Sequence, residues 1–484
     1  MFVRYLWTAV AGLGLVIGTT GEVFAATPPA GTRDVLDAAT AKRIDAGVRQ
    51  VMRRFAVPGA AIAVIRNGRP VYSKAYGERD KERGLKVRTD TPFEIGSITK
   101  QFTAAAILQL QEAGKLGLDH TLADYLPQAP HANEVTLRQL LSHTSGLHEY
   151  FDGPEQEVDE LATRPIDFGH LIERIADKPL DFPPGTRWSY SNTGYALLGK
   201  VIETVSGQSY RDYVQHRLLD PLSMKQTFTL ADKDRLGDVA VGYRHEQGTL
   251  RRAPFFHPDW SGAAGFLVST LDDLARWDAA LRGGDVVSKE NYAAMTTSFV
   301  TSGGDNVGYG LGLFVDTLYG QPRIGHTGGT QGSTSADEYF PELGTRVIAF
   351  TNLGDKKPEA GITLTNVVFA ALHPDITAAW RRPVAGEDKA VGARVKASFL
   401  QLQAGKGYGA FSASLAGKLS GGLGARFAGI LHPYGKPSAL VFKGKRRGDK
   451  GIWYDYVAEF GPGVLMPYAV RPDENGKLAG FALD

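Results

Sequence analysis

Two kinds of hydrophobic spacing alternate along the chain, and the change of period divides it. Within residues 38–55, Ile44, Val48, Val51 and Phe55 recur at helical intervals, and Pro58-Gly59 ends the run. Ala61-Ile62-Ala63-Val64-Ile65 and Val71-Tyr72-Ser73-Lys74-Ala75-Tyr76 then read as two strands. The Asn67-Gly68 between them suits the left-handed dihedrals of a tight hairpin turn. Over 97–280 helical spacing dominates, broken by loops that carry Pro and Gly. Strand-like runs return at 311–315, 323–326, 335–340 and 345–351, and a helix closes the region at 360–372. Strands at both ends of a helical middle predict one sheet assembled from distant segments, with a helical insertion beside it.

The two ends of the chain read differently. Residues 1–25 combine Arg4, a mostly apolar stretch over 5–18 and the small-residue pattern Val23-Phe24-Ala25. This is the pattern of a cleavable export signal cut after Ala25, which predicts a periplasmic or secreted protein. The apolar stretch is short of a spanning helix, so no stable membrane span is expected once the signal is removed. A domain over 26–372 is followed by 373–392, which carries two prolines and many charges and reads as a linker. Residues 393–484 alternate short apolar runs, such as Leu440-Val441-Phe442 and Ile452-Trp453-Tyr454, with Gly-rich turns, and predict a small all-β domain.

Composition narrows the chemistry. The 484 residues are 43% hydrophobic and 22% charged, with 54 Lys and Arg against 52 Asp and Glu. A net charge of +2 advertises no nucleic-acid partner. Cys 0 excludes disulfides, thiol catalysis and thiolate metal sites, and the histidines lack ligand spacing, so no metal or other cofactor is expected. No G-x-S-x-G elbow and no H-E-x-x-H occur.

Three short stretches hold the candidate chemistry. Gly96-Ser97-Ile98-Thr99-Lys100 enters an amphipathic helix, which places Ser97 and Lys100 on one face, one turn apart. A desolvated neutral lysine can activate a serine hydroxyl, and a helix N-terminus offers backbone N–H groups to an oxyanion. Taken alone, Ser is also a common helix cap and Lys a common solvated residue. Trp188-Ser189-Tyr190-Ser191-Asn192 precedes a helix marked by Leu197, Leu198, Val201, Ile202 and Val205. There Tyr190 is either a proton relay or a core residue, and Asn192 either holds the lysine and the substrate or caps the helix. Gly325-His326-Thr327-Gly328-Gly329 ends a predicted strand, where paired glycines allow close approach to the backbone.

In this order and at these separations, Ser97-Ile98-Thr99-Lys100, Tyr190-Ser191-Asn192 and His326-Thr327-Gly328 resemble the three motifs of the penicillin-recognising serine hydrolases. That superfamily includes class C β-lactamases, DD-peptidases, D-aminopeptidases and esterases. The stretches 136–147 and 262–270 also resemble it, and the likeness covers about residues 41–372. The resemblance implies an α/β (α+β) β-lactamase/DD-peptidase-like fold, an antiparallel sheet flanked by helices with a helical subdomain. It implies an acyl-enzyme on Ser97, with Lys100 and Tyr190 sharing the acid–base work and the choice of acylation base open. Asn192 would orient substrate and lysine. His326, Thr327 and Gly328 would line the substrate strand, and the N–H groups of Ser97 and Gly329 would form the oxyanion hole. The substrate would be a small molecule or peptide, cell-wall fragments included.

One position departs from the family. β-Lactamases and DD-peptidases usually carry a permanently charged lysine where this chain has His326, whose charge at neutral pH is expected to be partial. That favours an esterase or D-aminopeptidase-like hydrolase. A true β-lactamase or DD-peptidase is the first alternative, and a binding protein without turnover is the second.

Overall fold

The computed structural model describes residues 35–153, 160–355, 359–448 and 451–483, so the export signal expected over 1–25 lies outside the described residues. The hairpin forms as its turn dictates. Strands Gly59–Arg66 and Arg69–Asp80 pair antiparallel, and Asn67 and Gly68 between them adopt φ of +50° and +76°. The other edge of Gly59–Arg66 pairs with Thr345–Thr351, from Ala60 opposite Thr351 to Arg66 opposite Thr345. The sheet runs Leu85–Lys86, Arg69–Asp80, Gly59–Arg66, Thr345–Thr351, Thr334–Phe340, Gln321–Gly329, Phe314–Leu318, antiparallel throughout. Strands separated by most of the chain therefore meet at the centre of one seven-stranded sheet, with the long helical insertion on one side.

Burial on both faces explains why the first strand is a continuous apolar run rather than an alternating one. Ala61, Ala63 and Ile65 join Ile348 and Phe350 in the core beneath the helical region. Ala60, Ile62 and Val64 join Val347 and Ala349 on the opposite face, under helices Ala38–Arg54 and Ala360–Leu372. Helix Thr99–Glu112 is buried almost all round, and Phe102 stacks on Trp277 with ring centroids 3.8 Å apart. Among the described residues no helix is long and apolar enough to cross a membrane.

The C-terminal part holds a small four-stranded antiparallel sheet in the order Ala439–Gly448, Gly451–Glu459, Leu465–Pro472, Leu478–Leu483. Two features differ from the sequence expectation. The stretch 373–392 contains helix Pro374–Trp380 and the start of helix Lys389–Ala404, and helices Ala413–Lys418 and Gly424–Leu431 precede the strands. The reason is an apolar stripe: Val391, Val395, Phe399 and Leu402 recur at helical spacing and are buried against the small sheet. Phe399 meets Tyr468 edge-on at 5.3 Å, and Gly405, which reads as a turn residue, is the left-handed cap of this helix at φ +66°. This part packs on the sheet face opposite helix Thr99–Glu112, sharing a core with Phe369 and Tyr319.

A buried ion cluster ties the sheet to the helical side. Arg346 is 5% exposed and grips Asp337 on the neighbouring strand through both carboxylate oxygens, with Nε 2.6 Å from Oδ1. It also bonds Asp278 of helix Leu271–Gly283. Removing one partner leaves a buried charge uncompensated. Asp337→Ala should therefore lower the urea-unfolding free energy by about 3–5 kcal/mol. A loss below about 1 kcal/mol, the range of an exposed pair, would show that the cluster does not hold these layers together.

Candidate functional site

The site begins with a turn that only glycine allows. Gly96 adopts φ +50° and opens the 3₁₀ turn Gly96–Ile98, from which helix Thr99–Glu112 continues. The end of strand Gln321–Gly329 closes on this turn. A Cβ on Gly96 would lie 2.8 Å from the Gly329 nitrogen, and one on Gly328 would lie 1.9 Å from the Ile95 carbonyl oxygen. Ser335 Oγ donates to that same oxygen at 2.8 Å. The backbones of Ser97 and Gly329 are thus neighbours because two glycines remove the atoms that would separate them. Ser97 is half-buried, Thr327 likewise, Gly328 is buried and Gly329 is exposed.

Helix Asn192–Ser206 brings the second element. Its cap is Ser191, whose Oγ accepts from the Gly194 N–H at 3.2 Å, which leaves the Asn192 side chain available to the lysine. Lys100 is wholly buried, and Nζ lies 3.0 Å from Ser97 Oγ, 2.9 Å from Asn192 Oδ1 and 2.8 Å from the Ala264 carbonyl oxygen. Nζ also sits 4.7 Å from the centre of the ring of the half-buried Tyr190, whose phenol lies close enough to Ser97 for that hydroxyl to favour its ionised form. The three stretches read from the sequence converge on one point.

Burial works on these groups in opposite senses. It pulls the Lys100 ammonium from 10.5 down to about 7, against a smaller opposing pull from Glu149. It holds the Tyr190 phenol well above its usual value, with the Ser97 hydroxyl acting the other way. A neutral lysine has two protons and one lone pair. Ala264 O and Asn192 Oδ1 can only accept, so they take the two protons and the lone pair is left to Ser97 Oγ. The neutral amine is therefore aimed as a proton acceptor at the one partner that can donate.

His326 corrects the expectation of a partly charged group. It is 2% exposed, its Nδ1 donates to the Thr327 carbonyl at 2.5 Å, and its Nε2 accepts from the Tyr309 hydroxyl at 2.9 Å. Burial first, and then the nearby Lys100, depress it to about 3. The imidazole is neutral and turned into the protein.

These elements and their order match the Beta-lactamase family model over residues 44–372. The chain belongs to the Beta-lactamase family. It is 34% identical over 322 residues to penicillin-binding protein 4 of Amycolatopsis lactamdurans, covering 62% of this chain and 81% of that protein. A putative penicillin-binding protein PbpX of Bacillus subtilis is 31% identical over 271 residues, 55% of this chain and 64% of its own length. Among solved structures, a D-stereospecific amidohydrolase from Streptomyces sp. is 30% identical with a TM-score of 0.57, covering 69% of this chain and 97% of that one. An octameric penicillin-binding protein homologue from Pyrococcus abyssi shares the fold over 92% of this chain and 99% of its own, with a TM-score of 0.62 at 24% identity. This Beta-lactamase family member is a hydrolase of the superfamily.

Glu149 is a residue of the site that the sequence did not reveal, whereas His143 reads from the sequence as structural or substrate-adjacent. Glu149 Oε2 accepts the Asn192 N–H at 2.6 Å, and burial raises its carboxyl. It lies just past the family-like stretch 136–147, and nothing in its own neighbourhood marks it. His143 lies within that stretch, with its ring centroid 4.3 Å from that of Tyr190.

The depressed lysine makes a stability prediction. Between about pH 7 and 10.5 the unfolded chain keeps a proton that the folded Lys100 has lost, so native stability gains with rising pH over that window. Lys100→Met lacks this gain. The stability of the variant relative to native should fall from pH 6 to pH 10 in denaturant unfolding, and a difference that is flat with pH would mean the amine titrates normally.

Proposed function

We propose that the protein is an exported serine hydrolase that cleaves an ester or amide through an acyl-enzyme on Ser97. The observation that carries this reading is the buried Lys100 amine, 3.0 Å from Ser97 Oγ and titrating near neutrality. Ser97 Oγ attacks the carbonyl carbon as its proton passes to Lys100. The N–H groups of Ser97 and Gly329 receive the oxyanion. Tyr190, kept protonated by burial, gives its proton to the leaving group and is refilled from Lys100. Water then releases the acyl group along the reverse route. Neither metal nor organic cofactor takes part in these steps.

The charges of the pocket bear on the substrate. The position that carries a lysine in β-lactamases and DD-peptidases holds a neutral, inward-facing imidazole, while Glu149 brings a carboxyl group within the electrostatic reach of Lys100. This suits an acyl group that is neutral or bears an amine better than one that needs a cation for its carboxylate. The amidohydrolase relative supports the same choice. The substrate class is thus esters, amino-acid amides or short peptides, cell-wall-derived ones included, ahead of β-lactams and D-Ala-D-Ala peptides.

A fluorophosphonate should label native protein and not Ser97→Ala, and p-nitrophenyl esters should turn over. An unlabelled native protein would refute the covalent reading, and an acyl label that is never released would instead indicate a sensor. Because the neutral amine is the reactive form, the acylation rate should climb as pH rises through about 7 and fall below it. A rate independent of pH from 5 to 9 would remove Lys100 as the base. Tyr190→Phe should slow acylation about 10²-fold, the lower range for a lost general acid, while unfolding at the native temperature.

A further inference from the structure

His143 is a buried histidine in an uncommon backbone conformation, 1% exposed at φ +60°. It grips the Tyr190 turn from both sides. Its carbonyl accepts the Ser189 N–H at 2.9 Å, and its Nδ1 accepts the Ser191 N–H at 3.1 Å. The two residues so held flank Tyr190, whose ring lies against the imidazole. The same loop continues the grip, since the His148 carbonyl accepts the Thr193 hydroxyl at 2.9 Å and Glu149 accepts the Asn192 N–H.

The tautomer shows where the demand lies. Because Nδ1 accepts, the proton of the neutral ring sits on Nε2, and that buried atom has no hydrogen-bond partner among the described residues. Burial, reinforced by Lys100, keeps the ring neutral. An asparagine or a glycine would adopt the same φ with less strain, and a glycine would leave no orphaned donor. The fold retains the histidine at the one place where its Nδ1 meets the Ser191 amide and its face meets Tyr190.

We propose that His143 is a positioning residue, whose Nδ1 acceptor fixes the Ser191 amide and so sets the Tyr190 hydroxyl on Ser97. This rests on the acyl-enzyme reading above. Misplacing a catalytic group by about 1 Å can cost about 10²-fold in rate, so the effect falls on the acylation step and not on substrate affinity.

The test compares His143→Gly, which takes the φ freely but loses ring and acceptor, with His143→Asn, whose Oδ1 can occupy the Nδ1 position. Both are measured on p-nitrophenyl acetate and by the rate of fluorophosphonate labelling, beside native and Ser97→Ala. His143→Gly should lose about 10²-fold in kcat with KM unchanged, and His143→Asn should recover most of the loss. Equal kcat in native and His143→Gly, or an asparagine variant as slow as the glycine one, overturns the proposal while native labelling at Ser97 leaves the acyl-enzyme reading intact. Absent labelling of native protein overturns both together. If both variants unfold at 25 °C, His143 is a folding residue and the positioning role is rejected.

Discussion

The structure turns on taking the amine of Lys100 out of water. An ammonium so placed is tolerated only with acceptors for its protons, and Nζ has three: Ser97 Oγ, Asn192 Oδ1 and the Ala264 carbonyl. They come from the Ser97 turn, the helix after Tyr190 and helix Pro258–Gly265. Three elements far apart in sequence are thereby held about one nitrogen. The same contact set that makes burial bearable also decides what the neutral amine does, because two of the three partners cannot give up a proton.

That requirement explains the backbone around the site. The lysine can reach its partners only if helix Thr99–Glu112 lies deep between the sheet and helix Asn192–Ser206, which its nearly uniform burial achieves. The sheet must then bring the Gly328-Gly329 strand end against the Ser97 turn without side chains between them. Gly96 and Gly328 meet that need through backbone contacts that a single Cβ would break. On the far face, the helices and strands of the C-terminal part cover apolar positions of the same sheet. Site and scaffold thus share strands whose two faces do different work.

What could be read beforehand followed from local rules. The hairpin turn, the closing helix Ala360–Leu372 and the strand Thr345–Thr351 all carry short-range signals, and the structure places them where those signals stand. The convergence of Ser97, Lys100 and Tyr190 was legible only through the order of three motifs, since each alone fits a cap, a solvated lysine or a core tyrosine. The helices from Lys389 to Leu431 were hidden because glycines at and near their ends look like turn residues, although the Val391, Val395, Phe399 spacing was there to find. Burial of His326 was beyond sequence because it depends on Tyr309 and on a contact with its own neighbour's carbonyl. Glu149 was out of reach for the same reason, since its partner is a backbone N–H more than forty residues away.

The neutrality of His326 changes the account of how the pair of reactive groups is tuned. A permanent cation at that position would lower the affinity of both Lys100 and Tyr190 for protons, favouring free amine and phenolate together. Here desolvation acts instead, and it favours the uncharged form of each: free amine on Lys100 and intact phenol on Tyr190. Two groups that a cation would push in one direction are pushed apart. In the proposed acyl-enzyme route that difference gives the two their roles, with the lysine ready to take the serine proton and the tyrosine still holding one to give. A site tuned by exclusion of water rather than by a fixed charge also loses the anchor for a carboxylate. On the proposed acyl-enzyme reading, the choice of Lys100 as base follows from its desolvation, and the preference for a carboxylate-free acyl group follows from the buried imidazole.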